Sequence, residues 1–274
     1  MDRVHGQAQK RMKLTAFTIC YNSADYLDHV IRSALEWVDE IVVVEGAFQI
    51  GIDAGCRRRS QDETLNIMSR YRDNAKVVLH ITDKPCQEHK DQYQLAFDIA
   101  KRGSPDWCIL IDSDEIYPQE TQRVIRKTLE KSMNSGIYGF RVHSYNFINN
   151  FRSYYNGVYP RIYRCTPDAK FVYDNEVEWS NDGKSGDKMS PTPPDHISSI
   201  PAHFRFFHYA YVKEHAILNA KARMMWEKDN NPDYNPKYPK YRAEEGLYRV
   251  PDGISIMKFM GEHPPIMADH PNHV

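Results

Sequence analysis

Apolar runs alternate with helical stretches along the first half of the chain, and this alternation constrains the fold more than any other feature. Strand-like runs lie at 14–20, 40–45, 76–81 and 107–112, with helical segments between them. Such a rhythm predicts right-handed βαβ units, because parallel strands need a long crossover that a helix supplies. The sequence therefore predicts an α/β fold with a mostly parallel sheet flanked by helices.

The second half has a different pattern, in which strands are rich in aromatic residues. Strands are predicted at 137–147, 158–164, 171–173 and 203–211, and helices at 118–133 and 212–228. We divide the chain into a flexible extension (1–11), a first half (12–115), a second half of the same domain (116–229) and an irregular, proline-rich tail (230–274).

Composition excludes several classes of protein. The 274 residues are 41% hydrophobic and 27% charged, with a formal net charge of −1. Such a chain suits a globular fold and gives no electrostatic argument for a nucleic-acid partner. Five scattered cysteines without a C-x-x-C pair argue against a disulfide framework and favour a reducing compartment. No apolar run is long enough to span a bilayer, so we expect a cytoplasmic protein without a transmembrane segment.

Carboxylates follow directly after the fourth predicted strand, in the segment ILIDSDE at 109–115. In an open α/β sheet this end of a strand is where ligands bind. Extended geometry would point Asp112 and Asp114 the same way, with roughly 7 Å between their Cα atoms. Two carboxylates that close favour a hard divalent cation, Mg²⁺ or Mn²⁺, shared with a substrate phosphate. The alternative is that Asp114 and Glu115 only charge the start of the next helix.

Five segments, in this order, resemble family 2 glycosyltransferases of the GT-A fold. They are TICYNSADYL (18–27), EIVVVE (40–45), SQDET (60–64), DWCILIDSDE (106–115) and HYAYVKEHAILNAK (208–221). The resemblance covers roughly residues 13–225 and implies a Rossmann-like sheet with a smaller acceptor-side subregion. Glu45 departs from the family, which usually has aspartate there, and residues 46–59 form an insertion before Ser60.

The resemblance implies that 12–115 bind a nucleoside-diphosphate sugar at the ends of the first four strands. Tyr21 would stack on the base, and Glu45 would accept a hydrogen bond from the base or the ribose. For Asp62, capping of the following helix is the alternative role. The residues that we assign to donor binding are Thr18, Tyr21, Glu45, Asp62, Lys90 and Asp112.

The resemblance also implies metal and catalytic residues. Asp112, Asp114 and His208 are the metal candidates, with Asp114 as the direct ligand and Asp112 on the ribose or a metal-bound water. An imidazole ligand favours Mn²⁺ over Mg²⁺, although a purely structural His208 is the alternative. Glu178, and after it Glu176, is our candidate for the base that deprotonates the acceptor, in a segment where many relatives carry histidine–glutamate.

The predicted function is a metal-dependent, inverting glycosyltransferase that acts on an acceptor hydroxyl. The acceptor class stays open among saccharides, lipid-linked sugars, proteins and modified nucleic acids. A nucleotidyltransferase of related fold is one alternative, but TICYNS lacks the glycine-rich, basic signature expected near its first strand. A non-catalytic carbohydrate-binding protein is the other, and the intact Asp112 and Asp114 argue against it.

Overall fold

The computed structural model describes residues 11–53, 55–173, 176–178, 196–212, 240–242, 247–250 and 253–271. The helices are α1 (Leu27–Leu35), α2 (Gln49–Asp53), α3 (Thr64–Arg70), α4 (His89–Lys101) and α5 (Gln119–Lys131). The strands are β1 (Leu14–Cys20), β2 (Glu40–Glu45), β3 (Val77–Ile81), β4 (Trp107–Leu110), β5 (Glu115–Ile116), β6 (Gly139–Ile148), β7 (Ser153–Arg164), β8 (Lys170–Tyr173), β9 (Glu176–Glu178), β10 (Ile197–Ser199), β11 (Arg205–Tyr211), β12 (Lys240–Arg242), β13 (Leu247–Arg249) and β14 (Met257–Lys258).

The main sheet has the strand order β3-β2-β1-β4-β7-β6-β11-β5, with β10 beside β6 and β14 beside β7. Its first four strands are parallel. Beyond β4 the sheet is mixed, because β6 and β7 form an antiparallel hairpin and β7 lies antiparallel to β4. The α/β class and the Rossmann-like parallel half predicted from the sequence are confirmed.

The β-branched run of β2 is buried on both faces of the sheet. Side chains alternate across a strand, so Val42 joins one apolar cluster and Val43 the other. Phe97 of α4 packs in the first cluster and Ile31 of α1 in the second. Each fully buried valine contributes roughly 1.5–3 kcal/mol, so helices on both faces explain why such an apolar strand is stable here.

Asn22 and Ser23 are residue types that favour a helix cap, but α1 does not begin at either of them. The helix begins at Leu27, and the preceding residues instead bond to the segment SQDET. The Asn22 amide donates to Ser60 Oγ at 2.9 Å, and the Ser23 amide to Thr64 Oγ1 at 2.7 Å. This turn ties the end of β1 to the start of α3. The helix predicted at 212–228 lies outside the described residues from 213 onward.

The last described segment, 253–271, packs against the first half of the fold. His270 stacks on Tyr26 with 4.5 Å between ring centroids, and Asp269 Oδ1 lies 2.8 Å from His29 Nε2. Among the helices of the described part, none is both long and apolar enough to cross a membrane.

Candidate active site

A turn after β4 places the carboxylates. The Glu115 amide donates to the Asp112 carbonyl at 3.0 Å, so the chain is no longer extended there. The predicted extended Asp-x-Asp geometry is therefore wrong, and Asp112 and Asp114 contact different partners. Glu115 then enters β5, which lies antiparallel to β11 with Glu115 opposite His208. This pairing brings the histidine to the end of β4.

Two of the predicted metal residues, Asp112 and His208, lie together with Glu115, and the third, Asp114, contacts His208. Asp112, Glu115 and His208 each offer an atom within 4.8 Å of the others. His208 Nε2 also lies 3.3 Å from Asp114 Oδ1. Glu115 is fully buried and Asp114 is 5% exposed, so these charges are largely withdrawn from water. Two carboxylate oxygens and an imidazole nitrogen form a donor set that suits Mn²⁺.

Arg161 of β7 lies among these carboxylates and was not predicted from the sequence. Its side chain is 1% exposed, and Nη2 donates to Asp112 Oδ2 at 2.8 Å and to Glu115 Oε1 at 2.6 Å. Arg161 Nε donates to the same Glu115 oxygen at 3.1 Å. The Tyr93 hydroxyl donates to the other Asp112 oxygen at 2.9 Å. Both Asp112 oxygens thus accept a hydrogen bond from the protein.

Burial and charge shift the pKa values of this pair. Burial raises the pKa of Glu115 to about 7, and the Asp112 charge adds to the effect, whereas Arg161 opposes it. Although burial disfavours the guanidinium, the charges of Glu115 and Asp112 hold the pKa of Arg161 well above its ordinary value. The 2.6 Å contact is typical of a charge-assisted hydrogen bond, so we treat the pair as ionised.

Asn146 of β6 orients His208. Its side chain is buried, and its Oδ1 lies 2.9 Å from His208 Nδ1. An amide oxygen only accepts, so Nδ1 carries a proton in this orientation. His208 Nε2 then faces Asp114 Oδ1, and its lone pair would face another acceptor unless a proton or a metal ion lies between them. This arrangement fits a cation at the Asp114–His208 contact.

Glu45 and Tyr21 hold the insertion 46–59 against the end of the sheet. Glu45 is fully buried, and its Oε1 accepts from the Ser60 amide at 2.8 Å and from Ser60 Oγ at 2.9 Å. The Tyr21 hydroxyl donates to the Arg57 carbonyl at 2.6 Å, and burial raises the pKa of Tyr21 to about 12. Arg59 Nη1 lies 3.6 Å from the second oxygen of Glu45. The insertion thus contacts both residues predicted to meet the base.

The other predicted donor-binding residues have identifiable local contacts. Asp62 lies just before α3, whose N-cap position is Glu63, and its Oδ1 accepts from the Thr64 amide at 3.1 Å. Thr18 is fully buried within β1. Lys90, in the first turn of α4, is half-buried and lies 3.0 Å from the Glu88 carboxylate. Contact of these residues with a nucleotide stays a prediction.

The predicted catalytic bases fall at the margin of the described structure. Glu176 and Glu178 are the first and last residues of β9, which pairs with β8. Their side chains lie outside the described part of the chain. Their roles remain predictions.

An apolar groove of about 460 Å³ lies apart from the carboxylates. Residues of α3 and β3 line it, among them Met68, Leu79 and Ile81. None of the predicted site residues lines this groove, so it is not part of the candidate site.

Comparison with known proteins gives similarity at the level of structure. No protein-family model matches the chain, and no curated protein matches it. TarS from S. aureus, residues 1–349 in complex with UDP, is 15% identical over 82% of this chain and 67% of that chain, with a TM-score of 0.48. A longer TarS structure is 17% identical over 56% of this chain but only 28% of its own length, with a TM-score of 0.40.

HddC from Yersinia pseudotuberculosis is also similar. It is 11% identical over 77% of this chain and 99% of its own, with a TM-score of 0.42. At these identities the similarity extends to the fold alone.

Proposed function

We propose that the chain is a metal-dependent, inverting glycosyltransferase that uses a nucleoside-diphosphate sugar and an acceptor hydroxyl. The grouping of Asp112, Glu115 and His208 after β4, with Asp114 Oδ1 3.3 Å from His208 Nε2, carries the proposal. These groups follow β4, at the end of the parallel strands where an α/β sheet binds ligands. A divalent ion held there would neutralise the charge that grows on a departing diphosphate.

The residues of the chain take distinct roles in this proposal. Asp114 and His208 hold the cation, while Asp112, fixed by Arg161 and Tyr93, faces the ribose or a metal-bound water. Tyr21 and Glu45 would contact the base beside the insertion. A base within hydrogen-bond reach must take the proton of the acceptor hydroxyl, and we assign this step to Glu178 or Glu176.

Substrate and location complete the proposal. The donor is a nucleoside-diphosphate sugar, with Mn²⁺ or Mg²⁺ as the cofactor. The acceptor is a saccharide, a lipid-linked sugar, a protein or a modified nucleic acid, and we place the reaction in the cytoplasm. Inversion at the anomeric carbon rests on the family resemblance of the motifs.

Nucleotide binding tests the proposal first. Melting temperature is measured with UDP, GDP, CDP and dTDP, each with and without Mn²⁺, because a ligand that binds the native state raises it. The nucleotide sugars of the strongest responder are then assayed for donor hydrolysis and transfer. Transfer supports the proposal. Pyrophosphate release would indicate a nucleotidyltransferase, and binding without turnover a non-catalytic protein.

Substitutions then assign the roles. Asp114→Asn keeps the shape of the side chain and should abolish turnover, while Asp98→Asn on the exposed face of α4 should have no effect. Glu178→Gln should bind the nucleotide normally and lose transfer. An active Asp114→Asn variant would remove that residue from the metal site.

A further inference from the structure

Arg161 places its own positive charge beside the carboxylates of the candidate metal site. Three carboxylates, Asp112, Asp114 and Glu115, converge there, and one guanidinium bonds to two of them. A single guanidinium cannot balance three ionised carboxylates. The arginine therefore compensates part of a charge that a divalent ion would otherwise balance.

The position of Arg161 is fixed by packing as well as by charge. Its guanidinium lies 4.9 Å from the ring centre of Tyr159 and 5.7 Å from that of Phe206. Next to Arg161 on β7, Ile162 pairs with Ile109 of β4, so the strand that carries the arginine is hydrogen-bonded to the strand that leads to Asp112. Packing and strand pairing therefore hold the buried guanidinium of Arg161 in the site.

A metal ion and Arg161 compete for the same oxygens. The guanidinium occupies Asp112 Oδ2 and Glu115 Oε1, and the Tyr93 hydroxyl occupies Asp112 Oδ1. Asp112 and Glu115 belong, with His208, to the group of side chains that lie close enough together to hold a metal ion. A divalent ion bound in this cluster is repelled by the positive charge of Arg161.

We infer that Arg161 is the built-in counter-cation of this site. It neutralises charge on Asp112 and Glu115 in the metal-free protein, so that the fold is stable without metal, and it lowers the affinity of the site for divalent ions. The inference rests on the proposed metal role of Asp112, Asp114 and His208. It implies that metal alone binds weakly and that removal of the arginine charge strengthens binding.

The experiment compares neutral and charged replacements by calorimetric titration with MnCl₂ alone. Arg161→Met should lower the Kd for Mn²⁺ by about tenfold or more, because a buried unit charge at salt-bridge distance is removed. Arg161→Lys keeps the charge and should keep the Kd. The matched control is Arg164→Met on the same strand, since Arg164 stacks on Trp107 away from the carboxylates; it should leave the Kd unchanged.

Thermal unfolding gives a second measurement. Without metal, Arg161→Met should melt about 10 °C below the wild type, because two buried carboxylates lose their partner. Mn²⁺ should restore much of this loss, and raise the melting temperature of the variant more than that of the wild type. Arg161→Gln, which retains a hydrogen-bond donor, repeats the test if the methionine variant does not fold without metal.

The outcomes separate this inference from the proposed function. If the wild type binds Mn²⁺ and the neutral variants bind it with an equal or larger Kd, Arg161 does not have the inferred role, but the metal site stands. Absence of Mn²⁺ binding in both wild type and neutral variants overturns the metal site itself. If both neutral variants fail to fold even with Mn²⁺, the ion cannot replace the arginine and the inference is wrong.

Discussion

Replacement of Asn146 by alanine should weaken both the fold and the binding of Mn²⁺. Asn146 Oδ1 lies 2.9 Å from His208 Nδ1 and accepts from Ser144 Oγ at 3.1 Å. Buried donors left without an acceptor cost about 1–3 kcal/mol each, so we expect the free energy of unfolding to fall by about 2–4 kcal/mol. Loss of a bond that orients a metal-binding histidine typically weakens affinity 10–100-fold, or about 1.4–2.7 kcal/mol.

Urea unfolding and calorimetric titration with MnCl₂ measure the two effects separately. Ser144→Ala is the control, because it removes one donor to Asn146 and leaves the contact with His208 intact. It should lower stability by about 1 kcal/mol and leave the Kd for Mn²⁺ unchanged. Asn146→Asp retains an acceptor in the same place and should retain most of the affinity. If Asn146→Ala binds Mn²⁺ as Ser144→Ala does, the orientation of His208 does not control the site.

Three further predictions concern other parts of the fold. Gly157→Ala should lower the free energy of unfolding by about 1–3 kcal/mol, because its Cβ would lie 2.3 Å from the Asn146 amide nitrogen. Gly136→Ala, whose Cβ would meet nothing closer than 3.8 Å, should leave the free energy of unfolding nearly unchanged in urea unfolding. Mild oxidation with diamide should join Cys108 to Cys165, whose sulfurs are 2.6 Å apart, with a mass loss of about 2 Da that Cys108→Ser abolishes. The hydrogen bond to His29 lowers the pKa of Asp269 in the folded protein. The stability that this bond contributes is therefore present above the pKa of Asp269 in the unfolded chain and is lost as the pH falls through its lower pKa in the folded protein. Melting temperatures measured from roughly pH 5 to 3 should show the Asp269→Asn variant converging on the wild type.

The parallel half of the sheet could be predicted because its signals are local. A β-branched run such as 40–45 is stable only where both faces are covered, so the sequence itself implies helices on both sides. The start of α1 could not be predicted in the same way. Asn22 and Ser23 suit a helix cap, yet their amides bond to Ser60 and Thr64 about forty residues later, and this tertiary contact overrides the local preference.

The candidate site divides in the same manner between local and distant signals. Asp112 and Asp114 were visible as carboxylates at a strand end, and His208 was found through the family resemblance. Arg161 lies 49 residues from Asp112 in sequence, and nothing local distinguishes it from Arg164, the other arginine of β7. The signal that was available is a requirement of charge, since three carboxylates after a buried strand need a cation, which the protein here partly supplies itself.

The ion pairs of Arg161 with Asp112 and Glu115 predict that substitutions at the site will differ in their effects on stability and on Mn²⁺ affinity. Asp112 and Glu115 bond to a buried arginine, so their loss should lower stability and metal binding together, because an unpaired guanidinium remains in the core. His208, which bonds to Asn146 at one nitrogen and faces Asp114 at the other, stands outside that ion pair. Its replacement by glutamine should therefore alter Mn²⁺ affinity far more than the free energy of unfolding. Equal effects on stability for all three positions would show that the carboxylates, the arginine and the histidine form one structural network, with no separate metal contact at His208.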